Sequence, residues 1–349
     1  MDLNIEQQPG FCQILRKVRP ARWLGIVLGM KHVVDLEARP VQRIWGGTRI
    51  AGRLGLQSKD LIGELWLAYD QNRIRSGPLA GKTLAEALPE LGADFIGQAA
   101  YSKYGLELPL LVKFLDTAEW LSVQVHPDDA YAHTVEAASG FHGKAEAWYI
   151  LEGEGEIVYG LRAPMTRDKL AQAAQDGTLW DWLQRKWVTP EQVIPVPAGT
   201  IHALGPGLLL YEVQQRSDLT YRLYDYGRPR ELHLEKGLEV AKLEPTPLPH
   251  LTPLPAHHKE ILLACEAFVL ERYYLRCRLT LRAPKDSFLL LTLIGGGAEW
   301  LEGPLSWGDT LLIGAGEAIE LTGQALFLGA FVPSPEWLNG YPASVRVLE

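Results

Sequence analysis

A chain of 349 residues with 47% hydrophobic and 22% charged residues has room for two ordinary domains and can bury a real core. That mix excludes disorder, a collagen repeat and a disulfide-stapled miniprotein. Lys and Arg total 34 against 42 Asp and Glu, a formal net charge of −8, which is a poor balance for gripping a nucleic-acid backbone. The three cysteines, Cys12, Cys265 and Cys277, are too few and too scattered for a disulfide framework or a cysteine zinc site. A reducing, cytoplasmic setting is expected.

In chain order, Arg16, Lys17, Arg19 and Arg22 precede a short apolar run at 23–30. The run lacks a small-x-small cleavage site and falls well short of the roughly 20 apolar residues of a membrane span. The expectation is that Met30 is the natural start and that residues 1–29 are a disordered extension. A genuine extra arm or a weak targeting segment is the alternative. From Val33 onward the text is β-like, and 110–115, 121–125, 147–151, 156–160, 193–197 and 208–214 each read as a strand bounded by turn residues. Helices are expected at 83–91, capped by Thr83, at 166–187 with an interruption at Gly177, and at 230–243. Five prolines between 245 and 255 mark an extended linker. The expected division is therefore 30–244, a larger unit with a small helical insert; 245–256, the linker; and 257–349, a smaller unit of strands and turns. Many short strands with few helices favour a mainly β fold, a sandwich or jelly roll.

Three segments carry chemistry. In Trp120-Leu-Ser-Val-Gln-Val-His-Pro-Asp-Asp129, residues two apart share a face, so Ser122, Gln124 and His126 project together. In Gly143-Lys-Ala-Glu-Ala-Trp-Tyr-Ile-Leu-Glu-Gly153, Lys144, Glu146 and Trp148 share a face. In Pro195-Val-Pro-Ala-Gly-Thr-Ile-His202, a Pro-x-Gly turn presents His202 at the start of a strand. Each alone also fits buried, hydrogen-bonded core. Together they resemble the two cupin motifs, with Gln124 standing where many cupins have a first histidine.

The resemblance extends to a narrower family. Trp45-Gly46-Gly47, Gly63-Glu64-Leu65-Trp66, the Leu121–Asp128 and Gly143–Glu146 stretches, Pro197–His202 and Gln215-Arg-Ser-Asp-Leu-Thr-Tyr-Arg222 look like type I mannose-6-phosphate isomerase in its short bacterial form. The likeness covers roughly residues 33 to 335. It implies two cupin-type jelly-roll barrels and one zinc ion per chain on Gln124, His126, Glu146 and His202. It also implies an active-site arginine at Arg222, substrate contacts at Ser122, Lys113 and Lys144, and acid/base candidates at Glu212 and Asp218. Lys144 falls among the catalytic residues as well.

The implied reaction is an aldose–ketose interconversion of mannose 6-phosphate and fructose 6-phosphate through an enediol. The implied partner is a small sugar phosphate, with no nucleic acid and no membrane, in a monomer or homodimer. Two other readings stay open: an iron cupin oxygenase, since two histidines and a carboxylate suit non-haem iron, and a non-catalytic sugar-phosphate-binding relative. Individual residues have plainer readings too. Arg222 would pair with Asp218 or Asp225, Lys113 would snorkel along the barrel, and His133, His142, His233 and His257-His258 have no ligand spacing and read as surface or packing residues. In the C-terminal unit, residues 305–320 resemble the second cupin motif with Ile319 where His202 stands, which implies a module without metal. Residues 1–29 hold four basic and two acidic side chains, so the remainder stands at 30 against 40. An anionic substrate must then be held by local cations.

Overall fold

The computed structural model describes residues 32–57 and 60–347, so the expected extension at 1–29 lies outside the described residues. Among the described residues the chain is mainly β, arranged in three sheets. One sheet has six strands in the order Arg39–Gly47, Ile62–Ala68, Leu110–Asp116, Leu209–Gln215, Glu146–Glu152, Val193–Val196. A five-stranded sheet runs Tyr221–Tyr224, Val123–Val125, His202–Leu204, Gly155–Leu161, Leu183–Val188. These two sheets share a buried cluster that contains Leu115, Trp148, Ile150 and Leu210 from the first and Ile157, Tyr159 and Leu204 from the second.

Period-two alternation sorts the six-stranded sheet into two faces with different tasks. Leu65, Leu67, Leu110, Val112, Phe114, Ala147, Tyr149, Tyr211 and Val213 point away from the five-stranded sheet into a second cluster. Leu270, Leu290, Leu312, Leu328 and Ala330 of the third sheet join them there, as do Leu84, Leu88 and Ile96 of the helical insert. Residues between them in sequence, Glu64, Trp66, Lys113, Glu212 and Trp148, therefore face the other way, toward a cleft. Register places four of these in one row: Trp66 opposite Lys113, Lys113 opposite Glu212, and Glu212 opposite Trp148. In the five-stranded sheet Arg222, Gln124 and His202 form a matching row.

The third sheet has nine strands, and its long members Leu289–Trp300 and Ala318–Phe331 feed both ends of one buried cluster that includes Leu291, Phe327, Ala298 and Leu321. Ile319, where a metal-bearing cupin would have histidine, is buried in that cluster beside Leu281. Strand Val33–Leu36 departs from the expected division. It pairs antiparallel with Thr310–Ile313, so the start of the larger unit is stitched into the C-terminal sheet. The linker's last residues likewise form strand Leu254–Ala256 against Lys259–Ile261.

Helix expectations fared unevenly. Leu84–Leu91 is capped by Thr83 in a full capping box with Glu86. The 166–187 expectation was too long. Helix Arg167–Asp176 is capped by Thr166 and ends at Gly177 with φ 80°; a short turn at Leu179–Trp182 follows. Residues 183–188 are instead a strand on Gly155–Leu161, because Leu183 and Val188 face inward while Lys186 and Trp187 do not continue the helical stripe. The 230–243 expectation shrinks to Leu234–Val240.

Gly153 occupies the turn after strand Glu146–Glu152 at φ 79°, and a Cβ there would lie 2.0 Å from the carbonyl oxygen of Gly207. Gly153→Ala should therefore destabilise the chain by about 2 kcal/mol or more, read as a lower denaturant midpoint. An unchanged midpoint would show that the turn can shift to make room.

Candidate metal centre and active site

Each donor is delivered by a different local device. Gln124 sits on the central strand Val123–Val125, and His126 follows where that strand ends. Asp128 two residues later caps helix Asp129–Thr134 by accepting from Tyr131 N–H. Glu146 opens its strand, just after Lys144 N–H donates to the Pro127 carbonyl at 2.9 Å. The Pro-x-Gly turn works through Gly199, whose φ of 80° and N–H bond to the His126 carbonyl at 2.8 Å tie the second motif to the first. His202 then begins the next strand.

The three side chains His126, Glu146 and His202 converge, with one donor atom from each within 4.8 Å of the others. His126 Nε2 lies 3.5 Å and His202 Nε2 3.3 Å from the Glu146 carboxylate. Both rings are oriented from behind: His126 Nδ1–H donates to the Leu219 carbonyl at 3.0 Å, and His202 Nδ1–H to the Thr200 carbonyl at 2.8 Å. That leaves both Nε2 lone pairs aimed at one point, the second-sphere pattern of ligating histidines. Burial first, and then the Lys144 ammonium, pushes both imidazoles down, His202 to about 4. Neutral imidazole is the form that binds a metal. The Gln124 amide end is 3.2 Å from His202 Nε2, and Ser122 Oγ donates to its oxygen at 3.4 Å. A half-turn of that amide adds its oxygen to the same donor set. The Lys144 ammonium sits against this set, 2.8 Å from His126 Nε2 and bonded to Glu146. It is a cation drawn to the point where the donors meet, so the residues present fit a divalent ion with open positions.

The donors border a cleft of about 620 Å³ lined by both cross-strand rows. At its floor Lys113 Nζ lies 3.0 Å from Glu212, and Trp148 Nε1–H donates to the other Glu212 oxygen at 3.0 Å. Lys113 therefore does not snorkel. Burial alone would lower its pKa, yet Glu212, Glu64 and Glu146 outweigh burial and hold it above the ordinary lysine value. Burial and the nearby Glu146 charge push Glu212 up, against the pull of Lys113. Asp218 lies exposed on the cleft wall.

Arg222 lines the cleft opposite. Asp225 does not serve as its salt-bridge partner, because that carboxylate is gripped by Arg230 at 2.6 Å and approached by Arg228 at 3.5 Å. Arg222 instead donates to the Glu231 carbonyl at 2.6 Å, and burial followed by the neighbouring Arg230 charge pushes its pKa down. The whole expected set thus meets in one place: Lys113, Ser122, Gln124, Lys144, His202, Glu212, Asp218 and Arg222 line the cleft, with His126 and Glu146 immediately behind.

Sequence reading missed part of the wall. Glu64 is held in a fork by Arg43 (3.0 and 3.1 Å) and by the Trp66 indole. Burial would raise its pKa, but Lys113 and Arg43 together bring it below the ordinary value. The signal was available, since Glu64 and Trp66 alternate with the buried Leu65 and Leu67. His233, expected to be a surface or packing residue, also lines the cleft and accepts from Arg222 N–H at 3.2 Å. Its placement depends on the 225–233 turn and had no signature in the chain.

A mainly β protein with two histidines and a carboxylate converging beside a cation-lined cleft defines a class of metal-site enzymes. Residues 33–163 match the family described as phosphomannose isomerase type I, catalytic domain. Over 309 residues the chain is 37% identical to mannose-6-phosphate isomerase ManA of Bacillus subtilis, covering 81% of this chain and 94% of that one. A mannose-6-phosphate isomerase of Streptococcus mutans is 36% identical over 225 residues, 60% of this chain and 68% of its own. The crystal structure of the Bacillus subtilis mannose 6-phosphate isomerase superposes with a TM-score of 0.75 at 30% identity, over 86% of this chain and 99% of that one. A zinc-bound mannose 6-phosphate isomerase shares the fold, with a TM-score of 0.70 at 18% identity over 86% of this chain and 99% of its own. The chain belongs to the type I phosphomannose isomerase family.

Proposed function

We propose that the chain is a zinc-dependent isomerase of mannose 6-phosphate and fructose 6-phosphate, with one ion held by Gln124, His126, Glu146 and His202. The observation that carries this reading is the convergence of two oriented, neutral imidazoles and a carboxylate beside a cleft whose floor is the Lys113–Glu212 pair. The kinship with the Bacillus subtilis isomerase over most of both chains supports it.

When bound, the ion would supply Lewis acidity for the carbonyl chemistry of the sugar. Glu212 is the group that takes the proton from C2 of the aldose and returns it to C1, while a second proton passes from O2 to O1 through an enediol. Its two oxygens are fixed by Lys113 and Trp148, so the carboxylate is held in place before substrate arrives. Lys144 reaches the same end of the cleft as the metal donors and serves the oxygen-to-oxygen proton movement. Arg222, whose local carboxylate is occupied elsewhere, holds the phosphate, which suits its planar fork. Ser122 orients Gln124 and borders the sugar. Asp218, exposed on the wall, is read as a substrate contact rather than as the base that abstracts a buried proton.

Purified protein incubated with mannose 6-phosphate should yield fructose 6-phosphate in a coupled assay. A chelator should abolish turnover and zinc should restore it. Absence of turnover with one zinc per chain would sink this reading in favour of a non-catalytic binding protein. Dioxygen consumption without isomerisation would favour the iron oxygenase.

A further inference from the structure

Helix Asp129–Thr134 places Asp129 and His133 four residues apart, on one face and one turn from each other. The chain then makes a short 3₁₀ turn at Ala137–Ser139 and reverses at Gly140 with φ 68°. That reversal brings His142 back onto the same face, with its Nδ1 3.0 Å from His133 Nε2. One donor atom from each of Asp129, His133 and His142 lies within 4.8 Å of the others. Sequence spacing alone gave no hint of this, because the reversal rather than the helix supplies the third residue.

Two further features shape the cluster. His142 Nε2–H donates to the carboxylate of Glu107, which Arg216 grips in turn at 2.8 Å. A carboxylate on the far ring nitrogen fixes the tautomer and leaves Nδ1 as a lone pair, the outer-shell arrangement that accompanies ligating histidines. Asp129 is also set in place, since its Oδ1 accepts from Gly143 N–H and Gln215 Nε2, both at 2.9 Å. Lys103 Nζ pairs with its other oxygen at 3.9 Å, beyond hydrogen-bonding distance. His133 is exposed, so an ion has a path in from solvent.

We propose that Asp129, His133 and His142 form a second cation site, distinct from the His126–Glu146–His202 centre, that binds a borderline divalent ion such as Ni²⁺ or Zn²⁺. Two imidazoles and one carboxylate select that class over Mg²⁺ or Ca²⁺, which require oxygen ligands. The site joins the 135–142 excursion to the segment that leads into Lys144 and Glu146, so an ion there ties down the approach to the catalytic strand.

The test uses untagged protein carrying one zinc per chain, titrated with Ni²⁺ while total zinc and nickel are measured after desalting. The expected result is one nickel per chain with zinc retained. His133→Ala, at an exposed position that does not endanger folding, should weaken nickel uptake at least about tenfold. Glu107→Gln should weaken it by about 10–100-fold, the range for loss of an outer-shell carboxylate. With Cu²⁺ as the probe, the spin-resonance spectrum should show coupling to two imidazole nitrogens and lose one of them in His133→Ala. No ion beyond the zinc in the wild type, or nickel uptake by His133→Ala within twofold of the wild type, would overturn the proposal.

Discussion

Glu146→Ala should strip the proposed zinc ion from the chain and take the activity with it. Glu146 is the carboxylate that both Nε2 atoms face, at 3.3 and 3.5 Å, and it also holds the Lys144 ammonium. Losing an outer-shell partner of a metal ligand costs about 10–100-fold in affinity, so losing the carboxylate itself should cost more than about 100-fold. Zinc content after desalting should fall below one-tenth per chain, and turnover with it. The variant also leaves a buried ammonium with one fewer partner, so a circular dichroism spectrum matching the wild type is the control for folding. Zinc retained at full occupancy in a folded variant would remove Glu146 from the donor set.

Glu212→Gln tests the other half of the site. The change preserves shape and the contact with the Trp148 indole, removes the negative charge beside Lys113, and deletes the proposed proton acceptor. Zinc should stay at one per chain while kcat falls by about 10²–10⁴-fold, the usual scale for a positioned acid or base. KM should change little, because the phosphate and the metal donors are untouched. A kcat within tenfold of the wild type would move the proton transfer to Lys144 or Asp218. The two variants therefore separate by metal content as well as by rate.

Period-two alternation explains how much of this site the chain displays to a reader. Ser122 and Gln124 are two residues apart and Lys144 and Trp148 four, spacings that predict a shared face, and the structure keeps both pairs on the cleft. The cap at Thr83 was also legible, since a side chain that bonds the first helical turn acts over three residues. What stayed hidden is set across strands rather than along them. Lys113 meets Glu212 only because strand Leu110–Asp116 pairs with Leu209–Gln215 in one register, and Glu64 joins them through a third strand. Nothing near Glu64 in sequence announces Lys113. The same holds for strand 183–188, where a short apolar rhythm fits helix and strand alike until a partner decides. Arg222 shows the reverse case. Its acidic neighbour Asp225 invited a local pairing that the 225–230 turn satisfies with Arg230 instead.

The pairing of Val33–Leu36 with Thr310–Ile313 has a consequence for how the chain is made. At about 5–20 residues per second, the ribosome releases the partner strand roughly 15–55 s after the first one. Throughout that interval an early strand with buried Val34 and Leu36 has no edge to join. The six- and five-stranded sheets can close before then, but the C-terminal sheet is completed only by material synthesised at both extremes of the described chain. Final docking is thus a late, long-range event of high contact order, and cutting the polypeptide at its proline-rich segment would leave each half missing a strand or holding an orphan one.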